Sequence, residues 1–188
     1  VAIHPSGSPI AFGGDDPCVH LVDVASRRVT QRLAGGGWPI RSVAFSPDGR
    51  WLAAGSRATV QLWDAKTLVE EPPLHGTAGE VVALAWRHDA SELAAATSDG
   101  LIRIFDIAMR TQVAVLGRSG GSSKDLAWHP DGEHLLLANG PLQIFARSTG
   151  RLVREIDENK SMWTVDVSPD GSQVVTGGNF NTVWIHDF

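Results

Sequence analysis

Cysteine is almost absent: Cys18 is the single copy in 188 residues. No disulfide can close within the chain, so stability must come from packing, and a reducing, cytoplasmic setting is expected. No apolar run approaches the roughly 18 residues of a membrane span, and no signal-like apolar segment opens the chain, so no membrane partner is expected. Dense basic runs are missing too. Sixteen Lys and Arg stand against 21 Asp and Glu, a net charge of −5, which argues against a surface that tracks nucleic-acid phosphates. Nothing reads as a sustained amphipathic helix. An initiating Met is also lacking; Val1 falls inside a repeat, as expected of a piece of a longer protein.

What is present is a period. Short apolar runs break at IHPSG (3–7), FSPDG (45–49), WRHDA (86–90), WHPDG (128–132) and VSPDG (167–171), with Pro5, Pro47, His88, Pro130 and Pro169 in register. A spacing near 40 residues identifies a supersecondary unit that cannot bury its own apolar faces and must stack on its neighbours.

Residues 40–74 show the unit. Ile40, Val43 and Phe45 supply a first strand, ended by Ser46-Pro47-Asp48-Gly49, where Pro fixes φ and Gly supplies positive φ. WLAAGS (51–56) makes a second strand, VQLWD (60–64) a third with period-2 alternation, and about 68–74 a fourth. Four short antiparallel strands per unit of ~40 residues is the arithmetic of a propeller blade. The equivalent second strands shrink to Ala, Gly, Ser or Thr near their ends. Phe45, Trp86 and Trp128 fall at one site, where inter-blade packing is expected. The expected fold is an all-β propeller with blades at about 1–33, 38–74, 80–116, 122–156 and 161–188. Four are complete, and the fifth has three strands.

These residues resemble the WD-repeat β-propeller family across the whole chain. Trp63-Asp64 matches the family's name-giving dipeptide, Asp23, Asp106 and Asp187 sit at the matching aspartate, and Asp99-Gly100 precedes a third strand as in that family. The family's Gly-His pair before each first strand is missing, and only Asp16 and Asp99 fill the turn position that its His would bond. The resemblance therefore implies that the family's polar network is absent and that blades rest on packing and pairing. It also implies a closed ring, most often of seven blades, which at ~40–45 residues each needs roughly 280–315 residues. Missing blades, a partner chain or self-association are expected to cover the open ends.

Other motifs read as parts of the repeat. Gly117-Arg118-Ser119-Gly120-Gly121 fits the G-x-S-x-G pattern of serine hydrolases, but no helix-forming segment follows, so a glycine-rich loop is the preferred reading. His129 and His134 bracket a turn that contains Asp131 and Glu133; His129 stands where other repeats have Ser46 or Ser168, and no metal is expected. No catalytic residue and no cofactor are assigned.

In a propeller the loops entering first strands and those joining second to third strands share one rim. Trp38, Arg41, Arg57, Arg118, Lys124, Trp163 and Phe180 fall there, and Arg and aromatic residues on a rigid rim are common interface anchors. The expected function is a non-catalytic scaffold that binds a protein or peptide. The alternatives are a sensing C-terminal module of a multidomain signalling protein and, behind it, a hydrolase built on Ser119.

Overall fold

A computed structural model describes residues 1–117, 123–156, 161–179 and 181–188. Their strands form five antiparallel sheets in which spatial order follows chain order. The first holds β1 (Ala2–Ile3), β2 (Ile10–Phe12), β3 (Cys18–Asp23) and β4 (Arg28–Ala34). The second holds β5 (Ser42–Phe45), β6 (Trp51–Gly55), β7 (Val60–Asp64) and β8 (Glu70–Leu74). The third holds β9 (Val81–Trp86), β10 (Glu92–Thr97), β11 (Leu101–Asp106) and β12 (Thr111–Gly117). The fourth holds β13 (Asp125–Trp128), β14 (His134–Ala138), β15 (Leu142–Ala146) and β16 (Leu152–Ile156). The fifth has three strands, β17 (Met162–Val167), β18 (Gln173–Gly178) and β19 (Val183–Asp187). Among the described residues there is no helix, and hence none long and apolar enough to cross a membrane.

The first strands lie inside and pack on one another from blade to blade: β1 on β5, β5 on β9, β9 on β13 and β13 on β17. Because side chains alternate across a strand, each blade offers one apolar face to each neighbour. In the second blade Leu52, Ala54 and Trp63 bury against Ala11, Val19 and Leu21 of the first. Its other face, Trp51, Ala53, Val60 and Leu62, meets Leu84, Trp86, Leu93 and Phe105 of the third. The same pattern joins the third blade to the fourth and the fourth to the fifth. Trp86 and Trp128 are buried in these inter-blade cores, while Phe45 is half-buried against the first one. Among the described residues, none covers the fifth blade's second face. Val183 and Ile185 are 68% and 67% exposed, whereas their counterparts Val60 and Leu62 are fully buried.

The small residues that end second strands have a steric cause. The segment entering the next blade crosses there, so a Cβ on Gly13 would stand 2.4 Å from Cβ of Ile40, and one on Gly55 would stand 2.5 Å from Cγ1 of Val81. Polar ties reinforce the stack. Trp86 Nε1 donates to Ala44 O at 3.2 Å, Arg110 pairs with Glu71 at 2.9 Å, and Arg147 grips both oxygens of Glu92 at 3.0 and 2.6 Å.

One expectation is corrected. The Gly-His donor is missing from the sequence, yet the turn aspartates do tie their blades, because the third strand supplies a different partner. His20 Nε2 bonds Asp16 at 2.7 Å. In the third blade the buried Arg103 donates to both oxygens of Asp99, and the Thr97 hydroxyl donates to Oδ1 at 2.5 Å. These two blades therefore rest on more than packing and strand pairing.

Candidate functional site

Three connections converge on one rim where the second blade meets its neighbours. Residues 35–41 link β4 to β5, 56–59 link β6 to β7, and 75–80 link β8 to β9. In the first, Gly36 and Gly37 adopt φ of +81° and +84°, a reversal that side chains resist. Ile40 then plugs in beside Gly13 and Gly35, and its N–H donates to Gly14 O at 2.9 Å. With Ile40 anchored, Trp38 is left on the surface, 46% exposed. The second connection is held by Ser56 N to Thr59 O at 3.2 Å and by Ala58 N to Gly79 O at 3.2 Å. That bond fastens the second loop to the third.

Between them lies an open cavity of about 520 Å³, lined by Trp38, Pro39, Arg41, Arg57, Gly79 and Glu80 among others. The Arg57 guanidinium stacks over the Trp38 ring, 4.5 Å from its centroid. Both groups are exposed, so this is a preformed flat surface of aromatic and cationic character with an apolar floor. Arg41 behaves differently. Its Nε donates to Glu80 at 2.8 Å and its Nη1 to Asp15 at 3.2 Å. The hydrogen bond and the charge of Glu80, with Asp15 behind them, raise its pKa further above the ordinary arginine value.

The rim residues expected from sequence thus separate. Trp38, Arg41 and Arg57 come together at one cavity. Lys124 and Trp163 belong to the fourth and fifth blades and do not line it; Trp163 is 53% exposed, with Nε1 donating to Ser161 Oγ at 3.1 Å. Arg118, Ser119 and Phe180 lie outside the described residues. Arg41, expected on the rim as an interface residue, is engaged there by two carboxylates of its own chain. Glu80 and Asp15 were missed. Only their position at the first-strand entry and second-strand exit of neighbouring repeats marks them, and counting cations and aromatics passes over it.

On the opposite rim a second cavity of about 480 Å³ is lined by Arg50, Trp51, Glu71, Asp89, Asp106 and Arg110. Trp51 is buried there, with the guanidinium groups of Arg50 and Arg110 at 4.7 and 5.4 Å from its ring. Of the cavity's charged groups, Arg110 pairs with Glu71 at 2.9 Å.

The sequence model for the WD domain, G-beta repeat, matches residues 28–64 and 68–106. Each match starts at or just before an outer strand, β4 or β8, and ends with the third strand of the next blade, at Asp64 or Asp106. The repeat in sequence therefore runs one strand out of phase with the sheet, so that each repeat ties two blades together. Among curated proteins, the chain is 27% identical to the periodic tryptophan protein 2 homolog of Neurospora crassa over 99% of its own length and 19% of that protein. It is 32% identical to WD repeat-containing protein SL1-17 of Schistosoma mansoni over 81% of the chain and 52% of that protein. It is 34% identical to small ribosomal subunit protein RACK1z of Oryza sativa subsp. japonica over 57% of the chain and 34% of that protein. The chain spans about half the length of these relatives or less.

Proposed function

The chain belongs to the WD-repeat β-propeller family, and from that premise we propose that it is a non-catalytic scaffold that captures a protein or peptide on the rim around Trp38 and Arg57. The observation that carries this is the stack of Arg57 on Trp38 over the cavity. Two side chains of the types that dominate interface energetics are held in a fixed, solvent-facing pose by loops pinned to one another. Little conformational entropy remains to be lost when a partner lands on them. Arg41 contributes by holding the loop ends together through Glu80 and Asp15, rather than by offering a charge. Some relatives are small ribosomal subunit proteins, which fits a life in assemblies; which assembly this chain enters is set by the rim. The uncovered face of Val183 and Ile185 completes the proposal, since every equivalent face in the chain is covered by another blade. We assign its cover to a further blade of the same kind.

The test is affinity purification with the chain as bait, followed by direct binding of the recovered protein. Trp38→Ala and Arg57→Ala are each expected to weaken binding by about tenfold or more, the loss of an interface anchor, with unchanged circular dichroism. Undiminished affinity in both variants would overturn the rim assignment and move the interface to the cavity beside Trp51 or to the blade sides.

A further inference from the structure

We propose that His129, Asp131 and His134, on the turn between β13 and β14, form a binding site for one divalent transition-metal ion of the zinc class. One donor atom from each of the three lies within 4.8 Å of the other two. Two imidazoles and one carboxylate make a donor set suited to zinc and its neighbours, and three protein ligands leave a position for water.

The geometry of this turn suits an ion. His129 is buried, and its Nε2 lies 2.9 Å from Gly171 O of the fifth blade. A carbonyl oxygen can only accept, so Nε2 carries a proton and Nδ1 is the ring nitrogen turned toward the turn, where the Asp131 N–H approaches it at 3.2 Å. Asp131 Oδ2 stands 2.9 Å from that nitrogen. His134 Nδ1 stands 2.7 Å from the same oxygen. Both ring nitrogens thus converge on one carboxylate oxygen, and a cation among the three atoms would be held by all of them. The backbone carbonyl fixing the far nitrogen is the arrangement that orients metal-bound histidines. The carboxylate is aimed as well: Oδ1 is taken by the N–H groups of Glu133 and His134 at 2.8 and 3.0 Å, which turns Oδ2 toward the rings. Phe188 stacks on His129 at 3.8 Å, walling one side with an apolar ring.

A turn of the same kind without these donors provides the contrast. His4 in the first blade makes the same reach to the neighbouring turn, with Nε2 3.0 Å from Gly49 O. Its Nδ1 accepts from the Ser6 N–H at 3.1 Å, as His129 Nδ1 does from the Asp131 N–H, but the side chain beside it is the Ser6 hydroxyl, which donates to Ser8 O at 2.9 Å, and not a carboxylate. The histidine latch is thus structural in both blades. The fourth blade adds Asp131 and His134 where the first has Ser6 and Pro9. An ion at about 2.0–2.2 Å from each ligand spreads the donors to roughly 3.4 Å apart. This asks a small outward shift of Asp131, which is exposed, and of His134, which is half-buried, and the exchange of the long 3.2 Å contact from Asp131 N–H to His129 Nδ1.

The experiment is cobalt titration of the tag-free 188-residue chain after chelator treatment, read by ligand-field absorption, followed by displacement with zinc. One equivalent is expected to bind saturably, zinc to displace it, and Asp131→Asn and His134→Ala each to weaken binding by about tenfold or more with unchanged circular dichroism. His129→Ala also removes the latch to Gly171, so it is not the deciding variant. No saturable signal below about 1 mM, or equal binding by both variants, overturns the site.

Discussion

Arg103 and Asp99 are joined by two hydrogen bonds, Nη1 to Oδ1 at 3.1 Å and Nη2 to Oδ2 at 2.7 Å, with Arg103 almost wholly buried in β11. Neutralising the carboxylate would leave a buried guanidinium uncompensated, so the third blade's stability depends on the ionisation of Asp99.

Those hydrogen bonds from Arg103 outweigh the opposing effect of burial and, with the bonds from Thr97 and the Leu101 N–H, lower the Asp99 pKa from 3.8 to about 2. A carboxylate lowered in the folded state stabilises it above the unfolded pKa and loses that contribution as pH falls through the folded value. Asp99→Asn is therefore expected to cost about 1–2 kcal/mol at neutral pH and progressively less between about pH 4 and pH 2. Asp170 is lowered to about 2 as well, chiefly by the Ser168 hydroxyl, so the readout is the difference in urea midpoint between the two chains across that window. A constant difference would show that Asp99 is not the titrating partner.

Trp63 is 2% exposed within the core shared by the first two blades. Trp63→Ala is expected to cost about 3–5 kcal/mol, as aromatic truncation in packed sites does. Urea unfolding measures it, and an unshifted midpoint would contradict the blade register.

How much of this was legible in advance divides by distance along the chain. Pro47-Asp48-Gly49 and Trp63-Asp64 announce their roles locally: the turn needs a residue at φ +72°, which Gly49 supplies, and alternation around Trp63 sets its face. Blade strands could be read for the same reason. Arg41 could not be, because its partners Glu80 and Asp15 lie 39 and 26 residues away on neighbouring blades. The His-x-Asp-x-x-His spacing is visible at 129–134, but the carbonyl that orients the His129 ring, Gly171 O, lies 42 residues on. Arg103 in place of a Gly-His donor was hidden similarly, since the substitute comes from a different strand of the blade.

Ala90 occupies the slot filled by Gly49, Gly132 and Gly171 in other turns, and it does so at φ +58°. A left-handed conformation costs an L-residue about 1–2 kcal/mol, part of which glycine returns as unfolded-state entropy. Ala90→Gly is expected to stabilise the chain by about 0.5–1 kcal/mol, read as a raised urea midpoint with unchanged m-value. A lowered midpoint would mean that the methyl's packing contact, in a residue only 9% exposed, outweighs the backbone term.

The last expectation concerns the fifth blade. Val175, Val183 and Ile185 share the face that in every earlier blade is buried by a neighbour, and they are 38%, 68% and 67% exposed. The edge of β19 away from β18 also has no strand partner among the described residues. Full burial of each such side chain is favourable by about 1.5–3 kcal/mol, and an open strand edge invites pairing. The 188-residue chain by itself is expected to self-associate through this face, with sedimentation coefficients that rise over a hundredfold concentration range. Val183→Lys with Ile185→Glu is expected to shift it toward monomer without loss of β-sheet circular dichroism, because both positions already tolerate water. A wild-type chain that stays monomeric throughout and unfolds cooperatively would mean that the first and fifth blades close on each other, and the proposal of a further covering blade would fall with that result.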